Sequence, residues 1–422
     1  MPSFHESNSM RVTLLGTLPP IRGLSSYCLE LTRALADECR VDFLSFQKLY
    51  PSFLYPGGDL KEDPTFPALK NSRVTVRRKL NWYDPTGWFM EGLTSRGALL
   101  HVQWWSLPLA SVAAGVSLGF RLRRRPVVMT LHNVRSHEDS AWFDRACRGL
   151  CILADHVIVH TASSREVLSE RHGVAAEKIS VIPHGPLDFH VRKGVNREAI
   201  RSALGVRSDH LAILLFGAVR PYKGVETAFR ALAEVIRHVP GARLLVAGKL
   251  WESWDRYERL ARELGVEDKL FLHLDYVPSG EVHRYFEAAD LVLLPYKRFE
   301  AQSGVGATAL SFAKPLIVTD VGGLPDLVED RRFVVPAGDV TALADTLGRC
   351  LASPGVLEQM AKDAEKVSQR MGWPGVAERT RRVYSKVLMK SCGHPPREGE
   401  PSIDGQVKCG YHFDEKWPIR GE

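Results

Sequence analysis

Cysteine is scarce in this 422-residue chain, and its positions form no regular framework. The seven cysteines stand at positions 28, 39, 147, 151, 350, 392 and 409, an odd number at irregular spacings. This pattern argues against a disulfide-bonded scaffold, and we expect reduced thiols in a cytoplasmic chain. The opening MPSFHESNSM is polar and lacks the apolar core of a secretory signal peptide.

Long hydrophobic runs are also missing. The most apolar stretch, LPLASVAAGVSLGF at 107–120, is shorter than the ~20 residues that a membrane-spanning helix needs. QWW precedes it at 103–105, and RLRRRP follows at 121–126. Two interpretations stay open: an element lying in a membrane interface, or a sheet-covering helix with cations near its C-terminus.

Signatures of several ligand classes are absent. GTLPPIRG (16–23) lacks the second and third glycines of a dinucleotide fingerprint, and the aromatic residues do not interleave with the basic ones as in nucleic-acid binders. Four possible zinc ligands, whose first spacing is unlike common zinc motifs, stand at Cys392, His394, Cys409 and His412. We therefore expect no cofactor, no nucleic-acid partner and no metal, with zinc at these four residues as the alternative.

The remaining composition is that of a globular protein, with 45% hydrophobic and 25% charged residues. The length favours two domains, because single cores rarely grow this large. The net charge of +7 indicates an anionic partner, such as a phosphorylated small molecule or a membrane surface.

Short apolar runs alternate with amphipathic stretches along the chain. Unbroken apolar runs indicate strands covered on both faces, and β–α alternation predicts doubly wound parallel sheets. The predicted strands are 12–15, 41–46, 99–103, 127–131, 157–160 and 179–183 in the first half, then 211–217, 242–248, 270–274, 291–295 and 315–319. Helical patterns include 225–239 and 257–265.

A polar interval at 184–210 divides the two halves, and we interpret it as a linker followed by the first helix of the second domain. We predict an N-terminal domain at 10–190 and a C-terminal domain at 191–373. A helix at 374–390 would return to the first domain, and 391–422, rich in Pro, Gly and charge, would form a disordered tail. Ligands of such sheets bind at the carboxyl ends of the strands, so the site should lie in the cleft between the domains.

The segment EAQSGVGATALSFAKP (300–315) begins a predicted helix with two glycines, although glycine in a helix interior costs roughly 1 kcal/mol relative to alanine. Ser303 can cap this helix, whose unpaired N–H groups and dipole favour an anion. Without Cβ atoms at Gly304 and Gly306, a diphosphate could lie against the amides. Close packing of the helix on a strand is the alternative.

A second motif, FGAVRPYKG (216–224), lies between a predicted strand and a predicted helix. Arg220 and Lys223 stand together at the carboxyl end of that strand. Paired cations there suit a phosphate or a diphosphate leaving group. A solvated basic loop is the alternative.

Together these motifs resemble the family 4 retaining glycosyltransferases of the GT-B fold, the glycosyl transferases group 1. The resemblance runs over roughly residues 10–390 and is strongest from 211 to 340. The segments that carry it are GTLPPIRG (16–23), LHN (131–133), KISVIPHG (178–185), RPYKG (220–224), DLVLLPY (290–296), Glu300, ALSFAKPLIVTDVGGLPDLV (309–328) and VVPAGD (334–339).

The resemblance implies an α/β fold of two Rossmann-like domains and a nucleotide-sugar donor. Arg220 and Lys223 would hold the donor diphosphate and stabilise its charge as it leaves. The amides of Gly304, Val305 and Gly306 would do the same in place of a metal.

Three further residues receive roles from the resemblance. Glu300 matches the first acid of the family's paired-glutamate motif and would bond hydroxyls of the donor sugar. His132 would face that sugar or its phosphate from the first domain. Gly23 would let the domains close over the phosphates.

Two positions depart from the family pattern. Thr308 stands where the family has a second glutamate that usually grips the ribose, and a threonine can bond it without charge. The family's arginine commonly lies where this chain has Gly217 and Ala218, so Arg220 would be its substitute.

The expected activity is sugar transfer to an acceptor hydroxyl with retained configuration, in cell-surface glycan or glycolipid synthesis. The acceptor would be a glycan or a lipid-linked precursor. We expect a cytoplasmic enzyme that can lie on the inner face of the cell membrane. The alternatives are a GT-B sugar-nucleotide epimerase, and an inactive relative that binds nucleotide sugars or serves as a membrane scaffold.

Overall fold

The computed structural model describes residues 10–22, 24–51, 62–135 and 140–391. Over these ranges the chain forms two separate sheets, one of seven strands and one of six, and every strand pairing within them is parallel. We call the seven-stranded sheet and the helices between its strands the N-terminal unit. The six-stranded sheet and the helices between its strands are the C-terminal unit.

The strands of the N-terminal unit are β1 (Arg11–Leu15), β2 (Arg40–Lys48), β3 (Val74–Asn81), β4 (Leu99–Trp104), β5 (Val127–Leu131), β6 (His156–Val159) and β7 (Ile179–Val181). Those of the C-terminal unit are β8 (Leu211–Phe216), β9 (Ala242–Ala247), β10 (Leu270–His273), β11 (Leu291–Leu294), β12 (Leu316–Thr319) and β13 (Val334–Val335). Their spatial orders are β3-β2-β1-β4-β5-β6-β7 and β10-β9-β8-β11-β12-β13. In both sheets the order reverses beside the first strand, and such a switch point opens a crevice at the carboxyl ends of the strands.

The helices up to β8 are α1 (Ser25–Ala36), α2 (Pro85–Thr94), α3 (Ala110–Leu122), α4 (Ala141–Leu153), α5 (Ala162–His172) and α6 (Arg197–Ala203). Those that follow are α7 (Val225–Val235), α8 (Asp255–Glu263), α9 (Val282–Ala288), α10 (Gly304–Ser311), α11 (Val340–Leu351), α12 (Pro354–Arg370) and α13 (Trp373–Ser391). Side-chain caps begin several of them: Asp84, Thr161, Asn196, Ser303 and Asp339 each accept a backbone N–H of the first turn.

The arginine run at the end of α3 has a structural use. Arg121 donates to the carbonyl of Leu153 at the end of α4, and Arg123 donates to the carbonyl of Leu93 near the end of α2. Arg125 donates to the carbonyl of Ser95. These cations satisfy carbonyls that helix ends leave unpaired and oppose the negative end of each dipole. The sheet-covering interpretation of 103–126 is therefore supported by α3, which packs against β4 and β5.

The C-terminal helix packs in the core of the N-terminal unit. Val376, Tyr384 and Val387 of α13 lie in the same buried cluster as residues of α1, β1 and β2. The Trp373 indole donates to the carbonyl of Pro186, in the segment between the units. The predicted domain boundaries themselves stay a prediction.

The two units also contact each other through the segment before β3. The buried carboxylate of Asp63 accepts the hydroxyl of Tyr276 at 2.7 Å and the N–H of Ser279 at 2.8 Å. The Thr65 hydroxyl accepts the N–H of Gly280 at 2.9 Å. Burial opposes ionisation of Asp63, but its hydrogen bonds with Thr65, Ser279 and Tyr276 outweigh burial and lower its pKa.

None of the described helices is both long enough and apolar enough to cross a bilayer. The run at 107–120 is divided between a short 3₁₀ turn and α3.

Tyr384→Phe should destabilise the protein, because the Tyr384 hydroxyl is 2.6 Å from Nδ1 of the buried His101. Burial, with His160 nearby, lowers the pKa of His101 to about 3, so the ring is neutral and needs this partner. We expect a loss of ~1–3 kcal/mol in the free energy of unfolding, measured in urea. Tyr83→Phe, at a residue with 56% exposure, is the control. Equal unfolding midpoints for both variants would contradict the expectation.

Candidate functional site

The predicted site residues of the C-terminal unit gather at the switch point between β8 and β11. The loop after β8 contains Arg220 and Lys223, and the loop after β11 leads to α10. The two loops touch through their backbones: Gly224 has φ +73°, and a Cβ there would lie 1.8 Å from the carbonyl oxygen of Pro295. Because both features exclude a larger residue, glycine at 224 lets the two loops meet.

Lys223 lies at the centre of this crevice. Its ammonium donates to the Tyr296 hydroxyl at 2.6 Å, and that oxygen is 3.3 Å from the Ser303 hydroxyl. Burial lowers the pKa of Lys223, with the nearby Tyr222 opposing this shift and Arg220 adding to it. Within the described ranges no ion pair of Lys223 with a carboxylate is formed within 4.0 Å, and its hydrogen bond is to a tyrosine hydroxyl. A buried cation in such surroundings can bind an anionic ligand.

Arg220 is half-buried beside the lysine. Its guanidinium carbon lies 4.0 Å from the centroid of the Trp251 ring and 5.5 Å from that of Tyr222. Aromatic stacking of this kind holds the face of a guanidinium in place, and the N–H groups along the edge of the guanidinium can then donate hydrogen bonds to a ligand. The structure therefore brings the two predicted cations together.

The N-terminus of α10 faces the same crevice. Ser303 accepts the N–H of Gly306 at 3.2 Å. A Cβ added to Gly217 in the opposite loop would lie 3.2 Å from the Val305 side chain and 3.5 Å from the Lys223 ammonium. The start of α10, the loop at Gly217 and the Lys223 side chain are thus neighbours.

The two glycines of α10 differ in their surroundings. A Cβ at Gly304 would meet no atom within 4 Å, and this residue is exposed. A Cβ at Gly306 would lie 2.2 Å from the Leu327 side chain. Helix packing therefore explains Gly306, whose amide is also used by Ser303. The amides of Gly304 and Val305 are the ones open to a ligand at this terminus.

Thr308, which stands in place of the second glutamate, is buried and donates its hydroxyl to the carbonyl of Gly304 at 2.8 Å. This contact to the preceding turn is common for threonine in helices. A role for Thr308 in holding a ribose stays a prediction, and it requires the hydroxyl to exchange this bond.

Glu300 lies where the two units meet. One carboxylate oxygen is 3.5 Å from Nη1 of Arg135, which follows β5. The backbone carbonyl of Glu300 accepts the Ser164 hydroxyl of α5 at 3.2 Å. The carboxylate is therefore presented at the junction of the units, a few residues before α10.

His132 is bound within the N-terminal unit. Its Nε2 is 3.0 Å from the Gln103 side-chain oxygen, and its Nδ1 is 3.0 Å from Nε2 of His160. Burial, reinforced by neighbouring histidines, lowers its pKa well below the usual value. A contact of His132 with a donor stays a prediction and requires one of these bonds to be exchanged.

Some predicted residues lie outside the described ranges: Gly23 and the four candidate zinc ligands, Cys392, His394, Cys409 and His412. Arg22, the neighbour of Gly23, stacks on Tyr276, with its guanidinium carbon 3.5 Å from the ring centroid. The loop after β1 therefore reaches the C-terminal unit. In the part of the chain that is described, no three His, Cys, Asp or Glu side chains come together as metal ligands.

Sequence reasoning missed four residues of this site: Arg135, Ser164, Tyr296 and Trp251. The motif DLVLLPY contained Tyr296, and its position after a strand was the available signal. The other three lie far along the chain from the residues they contact, and nothing in the local sequence indicated those contacts.

Comparison with protein families gives two matches that together cover most of the chain. Residues 21–186 match the profile of Glycosyltransferase Family 4, and residues 196–367 match Glycosyl transferases group 1. Among curated relatives, D-inositol 3-phosphate glycosyltransferase of Kribbella flavida is 29% identical over 241 residues, 55% of this chain and 56% of the relative. The chain thus spans about half the length of such curated relatives.

Solved structures agree on the fold. Sucrose-phosphate synthase of Thermosynechococcus elongatus superposes with a TM-score of 0.66 at 19% identity, covering 90% of this chain and 100% of that one. The Anabaena protein HepE, in complex with UDP-glucose, gives a TM-score of 0.67 at 18% identity, covering 89% and 99%. With the two parallel sheets, these likenesses confirm the predicted α/β GT-B fold.

Gly306→Ala should destabilise the protein, whereas Gly304→Ala should not. The new methyl at 306 enters Leu327, and overpacking of this kind costs ~1–3 kcal/mol. The methyl at 304 meets open space, so we expect a change within about 0.5 kcal/mol. Urea unfolding of the two variants beside the parent measures both. Equal losses would contradict this distinction.

Proposed function

We propose, on the premise that this chain belongs to the family 4, group 1 glycosyltransferases, that it transfers a hexose from a nucleoside diphosphate donor to an acceptor hydroxyl with retained configuration. The observation that carries the proposal is the buried Lys223 without a carboxylate partner in the described chain, placed beside Arg220 and the start of α10. Three sources of positive charge converge on one crevice, which suits a diphosphate.

In the proposed reaction, Lys223, Arg220 and the amides of Gly304 and Val305 bind the donor diphosphate. They stabilise the negative charge that develops as the bond from the anomeric carbon to the phosphate oxygen breaks. Glu300 bonds hydroxyls of the sugar and fixes its orientation. Because these groups already supply positive charge, we propose that the transfer needs no metal ion.

Retention follows if the acceptor approaches on the face that the phosphate leaves. The departing phosphate oxygen then takes the proton of the acceptor hydroxyl as the new bond forms. No side-chain nucleophile is needed, and the enzyme contributes orientation and charge stabilisation. HepE binds UDP-glucose, which supports a nucleotide-sugar donor here.

Two alternatives predict different products. An epimerase would release an altered sugar without using an acceptor, and an inactive relative would bind the nucleotide without turnover. Thr308 in place of the second glutamate is the feature behind the inactive alternative. Product analysis distinguishes these alternatives from transfer.

We expect the parent protein to release UDP, GDP or ADP from one of the matching hexose donors in EDTA, with an acceptor glycoside present. Lys223→Ala should lower kcat ~10²–10³-fold, because a preorganised charge contact to the leaving group is lost. Lys366→Ala, at an exposed lysine of α12 that is paired with Asp363, is the control. NMR of the product gives its anomeric configuration. Inversion would refute the retaining proposal, and loss of activity in EDTA that Mg²⁺ restores would refute metal independence.

We also propose that the acceptor is a lipid-linked or cell-surface glycan precursor, reached from an anionic membrane. Exposed apolar side chains on α3 and α4, Leu118, Leu122, Trp142 and Ile152, support this. Arg145 lies 5.0 Å from the Trp142 ring, so cation and aromatic stand together. Apolar residues beside cations suit an anionic lipid surface.

Replacing Leu118 and Leu122 together by glutamate should weaken binding to phosphatidylglycerol vesicles roughly tenfold or more. The two leucines would no longer be inserted between the lipids, and the new carboxylates would repel the anionic headgroups. Co-sedimentation with the vesicles measures this, and phosphatidylcholine vesicles test the charge requirement. Leu272→Glu, at a 45% exposed residue of β10, is the control. Unchanged sedimentation of the double variant would contradict the surface.

A further inference from the structure

Glu300 belongs to the C-terminal unit, but its two described polar contacts come from the N-terminal unit. Arg135 reaches its carboxylate at 3.5 Å, and the Ser164 hydroxyl donates to its carbonyl at 3.2 Å. The next residue, Ala301, accepts the N–H of Gly323, which itself lies against the N-terminal unit. A Cβ at Gly323 would lie 2.4 Å from the Thr161 side chain. The segment at 300–301 is therefore held from the opposite side of the cleft.

The contacts of Arg135 and Ser164 differ in chemistry. Arg135 contacts the carboxylate, and the side chains of Arg135 and Glu300 are 39% and 41% exposed. The buried Nε atom of Arg135 has no hydrogen-bond partner among the described residues. Ser164 is buried in the first turn of α5, where Thr161 accepts its N–H. One contact fixes the direction of the side chain, and the other fixes the backbone that carries it.

The diphosphate site is built differently. Lys223, Tyr296, Ser303 and Arg220 all lie in the C-terminal unit, and the described contacts of their side chains are with residues of that same unit. Phosphate binding at this site therefore depends on one unit. Orientation of Glu300 depends on both.

We propose that Arg135 and Ser164 are positioning residues that hold Glu300 toward the donor sugar, so that sugar orientation requires contact between the two units and diphosphate binding does not. This inference rests on the proposed function. By this proposal the N-terminal unit helps to orient the donor sugar, because its residues Arg135 and Ser164 contact Glu300. A nucleotide can then bind at the C-terminal unit first, and its sugar is aligned when the units meet.

The ion pair makes the proposal testable without unfolding the protein. Partly exposed ion pairs contribute little to stability, so loss of Arg135 should leave the melting temperature close to that of the parent. A positioning role moves a different quantity: the ratio between the affinities for a nucleotide sugar and for its nucleoside diphosphate.

The experiment compares Arg135→Gln, Ser164→Ala and Arg135→Lys with the parent, using UDP, GDP and ADP and the corresponding glucose nucleotides as probes. We expect kcat to fall ~10–100-fold in Arg135→Gln, because a misplaced orienting group costs this much. Affinity for the nucleoside diphosphate should stay within about twofold, because its proposed contacts lie in the C-terminal unit. Arg135→Lys should restore part of the rate, since it keeps the charge.

Arg165→Gln and Ser169→Ala on α5 are the matched controls, and both should behave as the parent. If Arg135→Gln and Ser164→Ala leave kcat and nucleotide-sugar affinity unchanged, the positioning proposal is overturned and the proposed function stands. If either variant weakens nucleoside diphosphate binding as much as it lowers the rate, the separation between the two sites is wrong. Absence of binding and turnover in the parent would overturn both proposals.

Discussion

The constraint on which this crevice depends is a lysine removed from water with no carboxylate paired to it in the described parts of the chain. Lys223 is buried, and its described hydrogen bond is to a neutral tyrosine hydroxyl, because burial raises the pKa of Tyr296. Such an arrangement is costly unless an anion completes it. Under the proposed function, the glycine turn at 224, the aromatic support of Arg220 and the capped start of α10 leave room for a diphosphate and surround it with donors.

Much of the fold could be predicted from the sequence, because parallel strands that are covered on both faces consist of unbroken apolar runs. Each apolar run selected from the sequence lies largely within a strand. The prediction missed β3 and β13. In β3, at the edge of its sheet, four of the eight residues of VTVRRKLN are exposed and one is buried, so it carries cations where the other strands carry aliphatic residues. In β13, two residues are too few to form a pattern.

The site was predictable to the extent that its residues are close in sequence. Arg220 and Lys223 share one loop, and Ser303 and Gly304 share one helix start, so local reasoning placed them. Local reasoning could not separate Gly304 from Gly306, because the difference lies in Leu327, which another segment brings to one glycine and not to the other. The arginines at the end of α3 show the same limit: their sequence left open a membrane interface and a helix end, and their carbonyl partners on α2 and α4 appear only in three dimensions.

The packing of α13 has a consequence for how the protein is made. The strands of the N-terminal unit leave the ribosome first, but the α1 side of their core is completed by side chains that begin at Trp373. At ~5–20 residues per second, that face stays uncovered for on the order of ten seconds while the whole C-terminal unit is synthesised. The N-terminal unit therefore completes this face of its core only after the strands of the C-terminal unit have been synthesised.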